Sequence, residues 1–300
     1  MIAVDYRFVS KEYPAAAGLE EIRFSVEAGS FFGVLGPMQS GKTTLVRLLF
    51  DYIHPSGGEI LVFGRDSVKD SAYIRRNAGY VPARVTGRSR LTVRQMLQTF
   101  RKTGKKLDED RIRQLCEQFR MDPGASFDAL ENGERKKLAI LSVLLQDPPL
   151  VVLDEPSQDL DAYERELVFT ELRRLHENGT TVFFTTRSVE ETARYCTHAA
   201  ILQNGELLTV GEAARMDFLR AKRITLTAEN AAGAVAALGI SNYHGDDHAV
   251  SFTYPGSVDT LVKTLANYSI STLRIEDPTM ESVLIATRVT EGGRTHGNAV

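Results

Sequence analysis

The sequence predicts a layered α/β fold, a parallel sheet flanked by helices, with a helical insertion at about residues 84–145 and a small α+β unit behind it. Three observations carry this reading. Short apolar strands alternate with helical stretches, which favours parallel pairing through crossover helices. A glycine-rich loop joins one such strand to a helix, and composition and rhythm change near Lys222.

The elements follow in order. Residues 1–35 read as short apolar strands separated by turns, with Glu27-Ala28-Gly29-Ser30 turning the chain into the strand Phe31-Phe32-Gly33-Val34-Leu35. Ser56-Gly57-Gly58 is another turn, and Glu59-Ile60-Leu61-Val62-Phe63 the strand after it. From Leu91 to about Leu145 the spacing is helical, as in Arg111-Ile112-Arg113-Gln114-Leu115-Cys116-Glu117-Gln118-Phe119. Two buried strands follow, Leu150-Val151-Val152-Leu153 and Thr181-Val182-Phe183-Phe184, separated by a helix from Tyr163 to Glu177. Beyond Lys222, strands at 224–227, 249–254 and 271–275 alternate with helices at 230–238 and 258–267. Asp277 caps a last helix with Pro278 at its first position, and 290–300 is a polar, Gly-rich, flexible tail. The expected domains are 1–220, 221–289 and that tail.

Bulk properties narrow the function. The 300 residues suit about two domains, and the formal net charge of -3 offers no basic face for nucleic acid. The run Arg135-Lys136-Lys137 is too short to change that. No apolar run approaches the roughly 20 residues of a membrane span, and no signal peptide opens the sequence. Cys116 and Cys196 lie far apart and outside any metal-type spacing, which suits reduced thiols in a cytoplasmic protein.

The loop itself carries chemistry. Gly36-Pro37-Met38-Gln39-Ser40-Gly41-Lys42-Thr43-Thr44 fits the P-loop pattern, between a strand and a helix as that pattern requires. Its backbone N–H groups and the helix dipole favour a triphosphate. Lys42 is placed for the β and γ phosphates and Thr43 for Mg²⁺. The strand at 150–153 ends in Asp154-Glu155, with Asp154 suited to hold the metal and Glu155 to deprotonate the attacking water. A nucleoside triphosphate and Mg²⁺ are the expected ligands; the resemblance below makes the nucleotide ATP.

With these residues in place, the chain resembles the ATP-binding subunit of an ABC transporter over about residues 1–210. The match includes Tyr13, the P-loop, Asp154-Glu155-Pro156, and Ser157-Gln158-Asp159-Leu160-Asp161, which resembles the family's dimer-contacting loop. The C-terminal unit, through Asp277-Pro278-Thr279-Met280-Glu281, resembles an appendage of multidrug, lipid and polysaccharide exporter ATPases. The resemblance places Tyr13 against adenine; an ordinary packed or surface tyrosine is the alternative.

Three of the family's elements are altered. Leu130-Glu131-Asn132-Gly133-Glu134 stands where the family has its Leu-Ser-Gly-Gly-Gln signature, Ala83 replaces a Gln that helps hold Mg²⁺ and water, and Arg187 replaces a His. A signature serine would bond the γ-phosphate on the opposite subunit, for about 1.5–3 kcal/mol. A carboxylate there would repel it by about 4 kcal/mol at 4 Å and an effective dielectric near 20, unless Glu131 swings away or faces solvent. Arg187 can still donate to a γ-phosphate but cannot shuttle a proton; a solvated arginine is the alternative.

The resemblance therefore implies an exporter ATPase subunit with slow hydrolysis, its catalytic residues Glu155, Lys42 and Arg187. The other reading is a nucleotide-sensing regulatory subunit of a membrane complex. The implied partners are separate transmembrane permease subunits and a second ATP-binding subunit. A heterodimer is favoured over a homodimer, with the chain peripheral on the inner face of the cell membrane.

Overall fold

Apolar residues crowd both faces of the central strands, so a second layer must cover each side. The computed structural model describes residues 1–14, 16–99 and 109–294. Residues 100–108 of the expected helical insertion and 295–300 of the expected tail lie outside the described residues.

The chain divides into two compact units, the first comprising Met1–Arg187 with Tyr195–Val210 and the second Ser188–Arg194 with the chain from Gly211 onward. In the first unit, β1 (Ile2–Tyr13) and β2 (Ala16–Glu27) are long strands rather than a series of short ones. Register shifts between Tyr6 and Val9 and on to Tyr13 explain the difference. They coincide with positive φ at Phe8 and Glu21, and a bulge of this kind breaks the period-two pattern. β3 (Phe31–Leu35) leads to α1 (Lys42–Leu49), then β4 (Gly57–Val62), β5 (Arg65–Asp66), α2 (Ser71–Asn77) and β6 (Ala78–Val81). The helical insertion contributes α3 (Val93–Thr99), α4 (Glu109–Gln118) and α5 (Asn132–Gln146), interrupted by a short 3₁₀ turn at Phe127–Ala129. β7 (Leu150–Asp154), α6 (Ala162–Glu177), β8 (Thr181–Thr186), β9 (His198–Gln203) and β10 (Glu206–Glu212) follow, while α7 (Val189–Tyr195), between β8 and β9, falls in the second unit up to Arg194.

Strands β2-β1-β4-β5 form one antiparallel sheet, and β10-β9-β3-β8-β7-β6 a second, in which β9-β3-β8-β7-β6 are parallel neighbours. One face of the central sheet, with Phe31, Val151, Leu153, Val182 and Phe184, packs on a core that includes residues of α3 to α6. The other face, with Phe32, Val34, Val152 and Phe183, packs on α1 and the antiparallel sheet. Parallel-stacked rings of Tyr6, Phe24, Phe32 and Phe183 run through that second core, and the Tyr6 hydroxyl donates to Leu45 O of α1 at 3.0 Å. Hydrogen bonding of the buried hydroxyl ties the antiparallel sheet to the helix that follows the P-loop.

In the second unit, β11 (Lys222–Ala228), α8 (Ala231–Ala237), β12 (Tyr243–Gly245), β13 (Ala249–Tyr254), α9 (Val258–Leu265) and β14 (Ile270–Glu276) form an antiparallel sheet of order β12-β13-β11-β14. That is a split βαβ arrangement with its own core around Ile224, Leu226, Phe252 and Leu261. The last helix, α10, spans Met280–Arg294. Asp277 does not cap it: Lys222 Nζ donates to the Asp277 carboxylate, and Thr279 Oγ1 accepts from Ser282 N at 3.3 Å instead. The helix includes Glu291 to Arg294, the start of the segment expected to be a loose tail.

Candidate functional site

Three parallel neighbours, β3, β8 and β7, end on the same edge of the central sheet. Ligands of open α/β sheets sit outside the carboxyl ends of the strands, and the residues read from the sequence gather there. The P-loop begins with Gly36 N donating to Thr186 O of β8 at 3.2 Å. A Cβ at Gly36 would lie 2.3 Å from Leu202 O, so only glycine lets the loop pass this close to β9. Gln39 and Gly41 both take positive φ, 64° and 105°, which turns the loop into α1. Met38 and Gln39 face solvent, Ser40 is buried, and Thr43 and Thr44 are half-buried at the start of the helix. Pro37 is half-buried.

Lys42 is nearly enclosed. Its Nζ donates to Gly36 O at 2.7 Å and Pro37 O at 2.8 Å, and lies 3.4 Å from Glu155 Oε1. Burial lowers its pKa below the usual lysine range, against the raising effect of Glu155 and Asp154. The ammonium thus satisfies carbonyls of its own loop. Arg187, 47% exposed, brings Nε within 3.5 Å of Glu155 Oε2, so the two carboxylate oxygens each face a different cation. The geometry gives Arg187 a partner that neither alternative from the sequence contained: the Glu155 carboxylate.

Asp154 is 1% exposed. Its Oδ1 accepts from Thr185 Oγ1 at 2.6 Å, while Oδ2 is buried with no hydrogen-bond partner. A buried carboxylate oxygen left unpaired is costly, and a divalent cation is the partner that the donor set beside a P-loop fits. Thr43, at the first turn of α1, is the second protein ligand expected of such a site. Among the described residues no three His, Cys, Asp or Glu side chains converge on one point.

Tyr13 ends β1, paired with Ala16 across the hairpin, with Lys11 Nζ 5.4 Å from its ring centre. Lys11 pairs with Leu19, and a Cβ at Gly41 would meet Leu19 Cδ2 at 2.5 Å. Leu19, on the strand paired with β1, therefore borders the P-loop. Glu131 occupies the cap position of α5 with an exposed side chain, and its N–H donates to Glu134 Oε2 at 3.0 Å. Glu134 thus closes the first turn of its own helix. Gly133 has a physical reason: a Cβ there would lie 2.5 Å from Asp159 O. Ala83 is half-buried at the end of the strap after β6.

Sequence reasoning missed two buried lysines and a threonine. Lys137 Nζ donates to Glu164 Oε1 at 2.7 Å and to Phe119 O at 3.2 Å. Lys136 is 2% exposed, and burial lowers its pKa to about 8. The sequence reading takes both only as members of a charge run too short to make a basic face. The signal was available, because Lys136 falls on the helical stripe with Ile140 and Val143, three and four residue steps that line one buried face. Thr185, which bonds Asp154, was legible only as part of a strand end.

Comparison with known proteins agrees with this geometry. The family model described as ABC transporter matches residues 19–158. A Nod factor export ATP-binding protein I of Mesorhizobium japonicum is 33% identical over 215 residues, 70% of this chain, and the chain spans 63% of that relative's length. The protein of the same name from Rhizobium sp. (strain N33) is 32% identical over 216 residues, 71% of its length. Among solved structures, an ATP-binding subunit of an ABC transporter superposes with a TM-score of 0.64 at 23% identity, covering 71% of this chain and 91% of that one. A dimeric post-hydrolysis ATP-binding cassette bound to ADP and Pi gives 0.63 at 22%, covering 70% and 98%, and these two likenesses establish the shared fold. Family match, identity and P-loop geometry lead to one conclusion: the chain belongs to the ABC transporter family, as an ATP-binding subunit.

Proposed function

We propose that the chain is the ATPase subunit of an exporter, binding MgATP at the P-loop and hydrolysing it slowly to move separate transmembrane permease subunits. The observation that supports it best is the meeting of Lys42, Asp154 and Glu155 at one sheet edge, with Lys42 Nζ 3.4 Å from Glu155. Gly36 to Thr44 wrap the phosphates through backbone N–H groups, Lys42 neutralises the β and γ oxygens, and Tyr13 stacks on adenine. Thr43 and Asp154 hold Mg²⁺, whose chemistry is to neutralise charge that builds on the transferred phosphoryl group. Glu155 orients the attacking water and accepts its proton, while Arg187 holds the Glu155 carboxylate from the far side. Ala83 offers neither metal nor water a ligand, which favours slow turnover.

The family shares each ATP between the P-loop of one subunit and the signature of the other. Glu131, at the cap of α5, would oppose the γ-phosphate at both sites of a homodimer and at one site of a heterodimer. This asymmetry favours a distinct second ATP-binding chain, the pair lying on the cytoplasmic face of the membrane through its permease. No described helix is long and apolar enough to cross the membrane alone.

Single-turnover hydrolysis with Glu155→Gln tests the enzymatic reading. The variant should bind MgATP as the wild type does and lose turnover; unchanged turnover removes Glu155 from the chemistry. Purification of the chain with its native partners, and identification of the second ATP-binding subunit, tests the assembly.

A further inference from the structure

An ammonium buried away from any contacting carboxylate is expensive, and Lys136 is such a group. Its Nζ donates to Pro82 O at 2.7 Å, Glu155 O at 3.1 Å and Asp154 O at 3.2 Å, which uses all three donors of the ammonium. Its charge is balanced from a greater distance by Asp154, Asp159 and Glu155. The three carbonyls come from two segments far apart in sequence: the strap that ends in Ala83, and the end of β7. Lys136 itself lies on α5, five residues past the altered signature at Glu131.

Two further facts give the contact a purpose. Glu155 has a φ of 49°, a left-handed conformation that is strained for a non-glycine residue. The Lys136 bond to Glu155 O holds the peptide in that setting, which aims the carboxylate at Lys42 and Arg187. In addition, Ala83 has no side chain to link the strap to the metal or the water. The bond from Lys136 Nζ to the backbone carbonyl of Pro82, one residue earlier, is a link between the loop after β6 and the end of β7.

We propose that Lys136 is a positioning residue for hydrolysis: a buried clamp that fixes the strap and the Asp154-Glu155 peptide to the signature helix. It sets where Glu155 sits without touching nucleotide. A displacement of α5 by the opposite subunit is passed through one ammonium to the general base. This role rests on the ATPase reading above, and the experiment keeps the two separable.

The test uses the full chain with Lys136→Met, which keeps the length and removes the donors, and Lys136→Arg, which restores them. MgATP affinity by calorimetry, single-turnover hydrolysis, and hydrogen exchange of the ATP-bound amides at 79–83 and 154–155 are measured. Lys136→Met should bind MgATP within about threefold of wild type, because the P-loop is intact. Its turnover should fall by about 10- to 100-fold, the size of effect that misplacing a catalytic group by an ångström has. Amide exchange at 79–83 should accelerate, and Lys136→Arg should recover part of both losses. Unchanged turnover and exchange, or a parallel loss of affinity, turnover and melting temperature without recovery by arginine, would overturn the proposal. If Lys136→Met does not fold, Lys136→Gln, which keeps two donors, is judged by the same criteria. If the wild type binds MgATP but never turns it over, the ATPase reading fails, and the exchange data still decide whether Lys136 clamps the strap.

Discussion

Arg187→Gln is the perturbation that bears most directly on Glu155, the proposed general base. Arg187 Nε and Glu155 Oε2 are 3.5 Å apart. Two unit charges at that distance attract by about 1 kcal/mol in water and about 5 kcal/mol at an effective dielectric of 20. The guanidinium is 47% exposed, so solvent screening places the pair near the lower figure, at about 1 kcal/mol. When ATP draws Lys42 to its phosphates, Arg187 is the cation left beside Glu155. A carboxylate that takes a proton from water loses that attraction, so the pair raises the barrier by up to its own strength. Removing it should speed turnover by about fivefold, since about 1.4 kcal/mol corresponds to tenfold in rate. The assay is single-turnover hydrolysis with saturating MgATP, with affinity measured separately. A tenfold fall in rate at unchanged affinity would refute the reasoning and place Arg187 on the transferred phosphoryl group.

Other outcomes follow from named contacts. Lys42→Ala removes at least two charge-assisted phosphate bonds of about 1.5 kcal/mol each, so MgATP affinity should fall by about 150-fold or more in calorimetry. Gly133→Ala forces a Cβ to 2.5 Å from Asp159 O, and overpacking of this kind costs about 1–3 kcal/mol; thermal melts should show the loss. Hydrogen bonds from the backbone of Lys69 and Val68 hold the Asp66 carboxyl below its usual 3.8. Its contribution to stability is therefore complete above pH 3.8 and disappears as pH falls through the lower folded value. Melting curves of Asp66→Ala should lie below wild type at pH 7 and converge with it in acid.

The P-loop, the Asp154-Glu155 pair and the central strands were legible because each is a local pattern with a fixed neighbour: a strand before, a helix after. Contacts that depend on strand order were not. Arg187 meets Glu155 because β8 lies beside β7, and no spacing in the sequence encodes that adjacency. Lys136 and Lys137 were hidden by their own chemistry, since two lysines in a short charge run give no sign of burial until the buried stripe of α5 is drawn through them. The β9–β10 hairpin carried a signal that went unused: Asn204-Gly205 between apolar runs, with positive φ at both residues, suits the turns that join tight hairpins. The bulges of β1 and β2 concealed two long strands as several short ones. Strand β12 was overlooked because its residues, Tyr243–Gly245, are all exposed and show no alternation.

Strand order also sets a timetable for synthesis. The strand that launches the P-loop, at Phe31–Leu35, hydrogen-bonds on its two sides to Thr181–Thr186 and His198–Gln203. Both neighbours leave the ribosome long after it does. Until they arrive, β3 has two open edges and an apolar surface on each face, the kind of segment that recruits other chains. Nucleotide cannot protect the growing chain in that interval, because Asp154 and Thr185 must emerge before the metal position exists. A translation product cut short before residue 181 should therefore neither bind ATP nor stay dispersed, and ATP can guide folding only at the end of the first unit's synthesis.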